Sequence, residues 1–181
     1  MNATTAEPLS KTLLSDAPDG VVTVGDNAVQ VVFQRRFRHP VEKVWAALTV
    51  PERLGDWFAA AQIDLRVGGT IRLNWNNGMH QAEMLITICE PPRALAWRWT
   101  IGDRDTLVRF DLAPSADGCT LTLTHSGLSP DGTRDGGVRV GWHAHLEALP
   151  DAIDGRATPW ETKTARENAL AGRYPKLTAW P

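Results

Sequence analysis

Between residues 61 and 126 the chain repeats one pattern: apolar and polar side chains alternate, segment after segment, with turn-forming residues between the segments. Ile63, Leu65 and Val67 share a phase and end at Gly68-Gly69, and Ile71, Leu73 and Trp75 then alternate with Arg72, Asn74 and Asn76. After Asn76-Asn77-Gly78 come Ala82, Met84, Ile86 and Ile88, with His80 on the same side and Pro91-Pro92 as the stop. Leu95, Trp97 and Trp99 follow, then Gly102-Asp103, Val108 and Phe110, Asp117-Gly118, and finally Leu121, Leu123 and His125 opposite Thr120, Thr122 and Thr124. A period of two with Gly, Asn, Asp and Pro at the breaks predicts strands joined by hairpins. One apolar face per strand predicts an antiparallel sheet buried on one side. Such a face must be covered by something.

The cover is predicted over residues 138–154. Trp142, Leu146, Leu149 and Ile153 recur at spacings of four, three and four, which places them on one side of a helix. His145 flanks that stripe, His143, Glu147 and Asp151 lie off it, and Pro150 predicts a bend. Upstream, residues 21–24 read as a short strand turned by Gly25-Asp26-Asn27 into a longer one over residues 29–38. There Val29, Val31, Phe33 and Phe37 oppose Gln34, Arg36 and Arg38, and Arg35 falls on the apolar phase, where its guanidinium needs a partner or a route to water. Pro40 opens one helix, with Val41, Val44, Trp45 and Leu48 as its stripe, and Pro51 a second that turns Leu54, Trp57 and Phe58 inward. The class is α+β: strand, two short helices, a run of strands, a long helix. Residues 1–19 read as a loose arm, and a helical stretch over 162–171 ends at Gly172 and Pro175, with Trp160, Tyr174 and Trp180 pinning the tail by aromatic burial.

Several functions find no support. Nineteen basic and 21 acidic residues leave a net charge of -2, so neither nucleic acid nor an anionic membrane is an expected partner. No apolar run reaches the roughly 20 residues of a membrane span. The opening residues lack the basic and apolar regions of a secretion signal, and two cysteines in such a chain suit a reduced, cytoplasmic protein. No HExxH, CxxC or acidic calcium loop is present, and His143 and His145, two apart on a helix, diverge; no metal is expected. Gly68-Gly69 and Gly136-Gly137 read as a turn and a loop rather than a phosphate cradle, so no cofactor is expected. Ser126 points away from His125, Cys89 and Cys119 are read on the outward phase, and so are Asp64, Glu83, Glu90 and Asp111, which argues against hydrolysis.

What remains is the space between sheet and helix. Phe33, Leu73, Trp75, Met84, Trp97, Trp99, Phe110 and Leu123 point into it from the sheet, along with Ile71, Ala82 and Val108. Trp142, Leu146 and Leu149 face it from the helix. Arg35, His125 and His145 are the polar residues in phase, whereas His80, close to a hairpin end, is read as solvated. Eight tryptophans in the chain leave two outcomes: the rings fill the space, or they wall an aromatic pocket. His125 is likewise either a hydrogen-bonded core histidine or a group that orients a ligand.

The stretches FQRRFRHPVEKVWAALTVPERLGDWF, DLRVGGTIRLNW, ICEPPRALAWRW, GCTLTLTHSGL and GWHAHLEAL, in this order, resemble the SRPBCC superfamily (START-like, Bet v 1-like), and within it the Hsp90-ATPase-activator homologues. The resemblance implies a helix-grip fold, a curved sheet of about seven strands wrapped around the C-terminal helix, over residues 20–155. Residues 156–181 resemble an extension of bacterial members packed on the same domain. It also implies an apolar or amphipathic small-molecule ligand in the hollow. An Hsp90 partner and a stress role come with the name alone, because the separate Hsp90-binding domain of the eukaryotic activators has no counterpart here. Some relatives are cyclase-like or hydrolase-like enzymes, a role in which His125 or Arg35 would polarise a carbonyl. The expectation is a non-catalytic binding protein, monomeric or homodimeric.

Overall fold

The computed structural model describes residues 20–24, 28–75, 80–129 and 137–174. The N-terminal arm, the turns at Gly25-Asp26-Asn27 and Asn76-Asn77-Gly78, and Trp180 lie outside the described residues. Eight strands form one antiparallel sheet: β1 (Val21–Val24), β2 (Val29–Phe37), β3 (Ala60–Ile63), β4 (Thr70–Trp75), β5 (His80–Glu90), β6 (Ala94–Ile101), β7 (Arg104–Ser115) and β8 (Gly118–Leu128). The helices are α1 (Val41–Thr49), α2 (Pro51–Trp57), α3 (Gly137–Ile153) and α4 (Trp160–Ala171).

The strand order is β1-β2-β8-β7-β6-β5-β4-β3. From β3 to β8 every strand pairs with its successor, as hairpins demand, but β2 pairs with β8. The chain therefore has to cross from β2 to the far edge at β3, and α1 and α2 make that crossing. α2 packs on α3, which brings the crossing against the long helix. The sheet has eight strands rather than about seven because β1 adds an outer edge to β2.

Three local readings are corrected. The strand read over residues 61–67 stops at Ile63, and Leu65 and Val67 are 38% and 61% exposed. Here the chain turns tightly: Arg66 N–H donates to Asp64 O, and Gly69 N–H to Arg66 O. A Cβ on Gly69 would stand 2.0 Å from the Asp64 carbonyl oxygen, so glycine is required by close approach. In β5 the register shifts between Ile86 and Ile88, which brings Cys89 opposite the core residue Leu95 and against the core. The bulge hands the inward phase from Ile88 to Cys89. Cys119 is also inward and fully buried, in phase with Leu121 and Leu123.

α3 runs through Pro150 to Ile153 and is buried on both sides. Trp142, Leu146, Leu149 and Ile153 join the main core, while Val140 and Ala144 form a second cluster with Leu170 and Tyr174 from the C-terminal segment. His143, off the apolar stripe, is buried under that segment, with Nδ1 bonded to the Tyr174 hydroxyl and Nε2 3.1 Å from Glu147.

Candidate functional site

Trp142 stands where the layers meet. Its ring packs edge-on against Phe110 of β7, His125 of β8 and Trp99 of β6, and stacks on Phe58 just after α2, with centroids 5.1 Å apart. Its indole N–H donates to His125 Nδ1 at 3.0 Å. An indole nitrogen only donates, so Nδ1 carries no proton and the neutral ring holds its proton on Nε2. Nε2 then donates to Thr106 Oγ1 at 2.9 Å, and the Thr106 hydroxyl donates to the Trp99 carbonyl at 2.6 Å. Both nitrogens of His125 are thus engaged within the protein. Burial pushes its pKa down to about 3, so the ring is neutral near neutral pH.

From Trp142 toward the ends of β5 and β6 the packing opens into a cavity of about 740 Å³. One wall is a ladder of nearly parallel rings, Trp75 on Trp99 at 5.7 Å and Trp99 on His125 at 5.8 Å. Phe58, edge-on to Trp75, and Trp142, edge-on to Trp99 and His125, continue the aromatic lining. The exposed His80, Gln81, Ile101 and Gly102 rim the sheet side, and Gly141, Trp160 and Glu167 the helix side.

His145 enters this wall from α3, its ring edge-on to Phe58 at 4.9 Å. Its Nδ1 lies 3.1 Å from the Trp57 carbonyl, which can only accept, so Nδ1 carries the proton and Nε2 a free lone pair. Glu167 Oε1 is 3.7 Å from Nε2, beyond hydrogen-bond reach. Burial lowers the His145 pKa to about 4, the Trp57 carbonyl opposes that shift, and the positive charge of Lys163 adds to it. Lys163 is 4% exposed; its ammonium lies 3.4 Å from the Phe58 carbonyl and 5.7 Å from the Trp160 ring centre. Burial lowers the Lys163 pKa against the pull of Asp56 and Glu167, and raises that of Glu167 against the pull of Lys163.

Of the residues expected at the hollow, Trp75, Trp99, His125, Trp142 and His145 come together on the cavity wall, joined by Ala82. Phe33, Leu73, Met84, Trp97, Phe110, Leu123, Leu146 and Leu149 are packed together in the main core instead. Arg35 is half-buried away from the cavity, its guanidinium 5.4 Å over the Phe33 ring and donating to the Gln34 carbonyl. Both outcomes foreseen for the tryptophans thus occur, filling at one end and a wall at the other.

Thr106, Trp160 and Glu167 are wall or network residues that the strand phases did not single out. Thr106 shares the phase of Val108 and Phe110. Trp160, Lys163, Glu167 and Leu170 recur at spacings of three, four and three, one face of a helix, a signal hidden because Lys and Glu pass for solvated residues. Glu167 also puts a carboxylate on the wall, which the count of outward strand carboxylates had not anticipated.

Among the described residues, no helix is long and apolar enough to cross a membrane. Comparison with curated proteins yields no match. Among solved structures, CalU16 from Micromonospora echinospora is 33% identical, with 80% of this chain and 88% of that chain covered at a TM-score of 0.62. Protein MLL2253 from Mesorhizobium loti is 29% identical over 71% of this chain and 99% of that one, with a TM-score of 0.65. The protein encoded by BPP1335 of Bordetella parapertussis, at 24% identity, shares the fold over 92% of this chain and 98% of its own, with a TM-score of 0.61. Residues 38–154 match the family described as activator of Hsp90 ATPase homolog 1-like protein. With that match over most of its length and the helix-grip arrangement of sheet and α3, the chain belongs to the Hsp90-ATPase-activator-homologue group of the SRPBCC superfamily.

Proposed function

We propose that the protein binds a small, flat, largely apolar molecule in the cavity between the ends of β5 and β6 and the start of α3, and does not transform it. The observation that carries this reading is the ring ladder Trp75–Trp99–His125 along one cavity wall. The ladder lines the cavity with aromatic surface against which a flat ligand packs with little loss of side-chain entropy, because the rings already hold one another in place. A volume of about 740 Å³ falls within the usual range for small-molecule sites. Of the two residues considered for carbonyl polarisation, His125 has both nitrogens engaged and Arg35 lies elsewhere, which favours binding over catalysis. An Hsp90 partner has only the family's name in its favour. The two free thiols, Cys89 and Cys119, support a reducing, cytoplasmic setting.

Native mass spectrometry before and after solvent extraction, followed by tryptophan-fluorescence titration with a panel of bicyclic aromatics, tests the proposal. Saturable binding that Trp99→Ala weakens about tenfold or more is expected. No carried ligand, and no binding by any compound of the panel, would overturn it.

A further inference from the structure

Aromatic walls explain why a flat ligand fits but not which one. The polar groups narrow the choice. His125 is saturated, so the histidine acceptor that the wall offers beside Trp142 is His145 Nε2, held in that tautomer by the Nδ1 contact to the Trp57 carbonyl. Glu167 stands 3.7 Å across from it, and the buried Lys163 sits close behind, its ammonium near the Phe58 carbonyl. An anionic ligand group would meet the Glu167 carboxylate and a lone pair. A cationic one would meet Lys163. A neutral donor meets an acceptor on each side and costs no buried charge. His145 and Trp75 both pack on the Phe58 ring, so the acceptor and the aromatic ladder border the same stretch of cavity wall.

We infer that the cavity takes a hydroxylated aromatic, a fused-ring phenol whose ring lies along Trp75 and Trp99 and whose hydroxyl donates to Nε2 of His145 beside Glu167. The inference rests on the ligand-binding reading and makes it more specific. His145 is neutral near neutral pH, because burial holds its pKa at about 4, so its Nε2 lone pair remains free to accept. The charged groups facing it are Lys163 and Glu167 from α4, with Asp56 of α2 beside Lys163.

A matched pair of probes provides the test: 2-naphthol, and 2-methoxynaphthalene, in which the donor is capped. The wild-type protein is expected to bind the naphthol about tenfold more tightly, the worth of one well-placed hydrogen bond in a dry site. His145→Phe keeps a ring against Phe58 and removes the acceptor, so the two probes should then bind alike. Should that variant not fold, the wild-type imidazole ¹⁵N spectrum serves instead: the His145 Nε2 resonance moves with naphthol and stays with the ether. Equal affinities in the wild type overturn the phenol assignment, and a preference that survives His145→Phe, or an unmoved Nε2 resonance, overturns His145 as the acceptor. Failure of both probes, along with the aromatic panel above, would remove the ligand-binding reading itself.

Discussion

Trp97 and Trp99 are neighbours in phase on β6, two residues apart, yet they belong to different regions. Trp97 is 1% exposed, its ring 5.2 Å from Phe110 in the packed core. Trp99 is half-buried in the open end, stacked between Trp75 and His125. The strand pattern treats the two alike. The difference comes from what they meet: Trp97 packs on Phe110 in the core, whereas Trp99 borders the cavity that opens past Trp142. Alternation determines which way a side chain points, and the surrounding elements determine whether it meets another side chain or a space.

The sharpest way to break this comparison is to truncate each ring. Trp97→Ala should cost about 3–5 kcal/mol in denaturant unfolding, as large core truncations do, and leave the ligand affinity of the folded protein within about twofold. Trp99→Ala should cost only about 1–2 kcal/mol, since less area is lost from a half-buried site, while weakening binding about tenfold or more. Equal stability losses, or a binding defect in Trp97→Ala, would erase the distinction between the ends.

Next in size is the response to acid. His125 and His145 both have folded pKa values below the ordinary 6.5, about 3 and about 4. Between those values and 6.5 the unfolded chain binds protons that the folded one does not, so stability falls as pH falls through that window. Each histidine contributes a slope of about 1.4 kcal/mol per pH unit at most. Thermal melts from pH 7 to pH 4 should therefore show a falling Tm, and His125→Leu should flatten the fall. The same variant leaves the Trp142 N–H without its acceptor and should cost about 2 kcal/mol at pH 7. A slope unchanged by His125→Leu would mean that this histidine is not kept neutral by burial.

The smallest effect concerns Glu167. Its pKa is raised by burial, so the folded state favours the protonated form, and stability is lost as pH rises through the folded value. Glu167→Gln should accordingly stabilise the protein at pH 7, by a few tenths of a kcal/mol, given that a third of the side chain is exposed. A clear destabilisation would point to an ion pair with Lys163 stronger than the geometry supports.

These contrasts also mark what could be read from the chain. Strand directions, the α3 stripe and the two Pro-started helices followed from periodicity, because in/out alternation and the helical repeat are local. The bulge that turns Cys89 inward is not local: it depends on which residue of β6 lies opposite. The tight turn at Asp64–Gly69 ended β3 early because the Arg66 and Gly69 amide bonds outweighed the apolar rhythm of Leu65 and Val67. The acceptor at His145 was legible as a position but not as a chemistry. Its tautomer depends on the Trp57 carbonyl, 88 residues earlier in the chain.

The central claim is that ligand meets the aromatic mouth and not the packed interior. Indole N–H resonances, one per tryptophan, report that most directly under titration with 2-naphthol. The account predicts that Trp75, Trp99 and Trp160 shift while Trp97 and Trp57, whose N–H donates to the Ala47 carbonyl inside the core, stay fixed. Shifts centred on Trp57 and Trp97, with Trp75 and Trp99 unmoved, would contradict it.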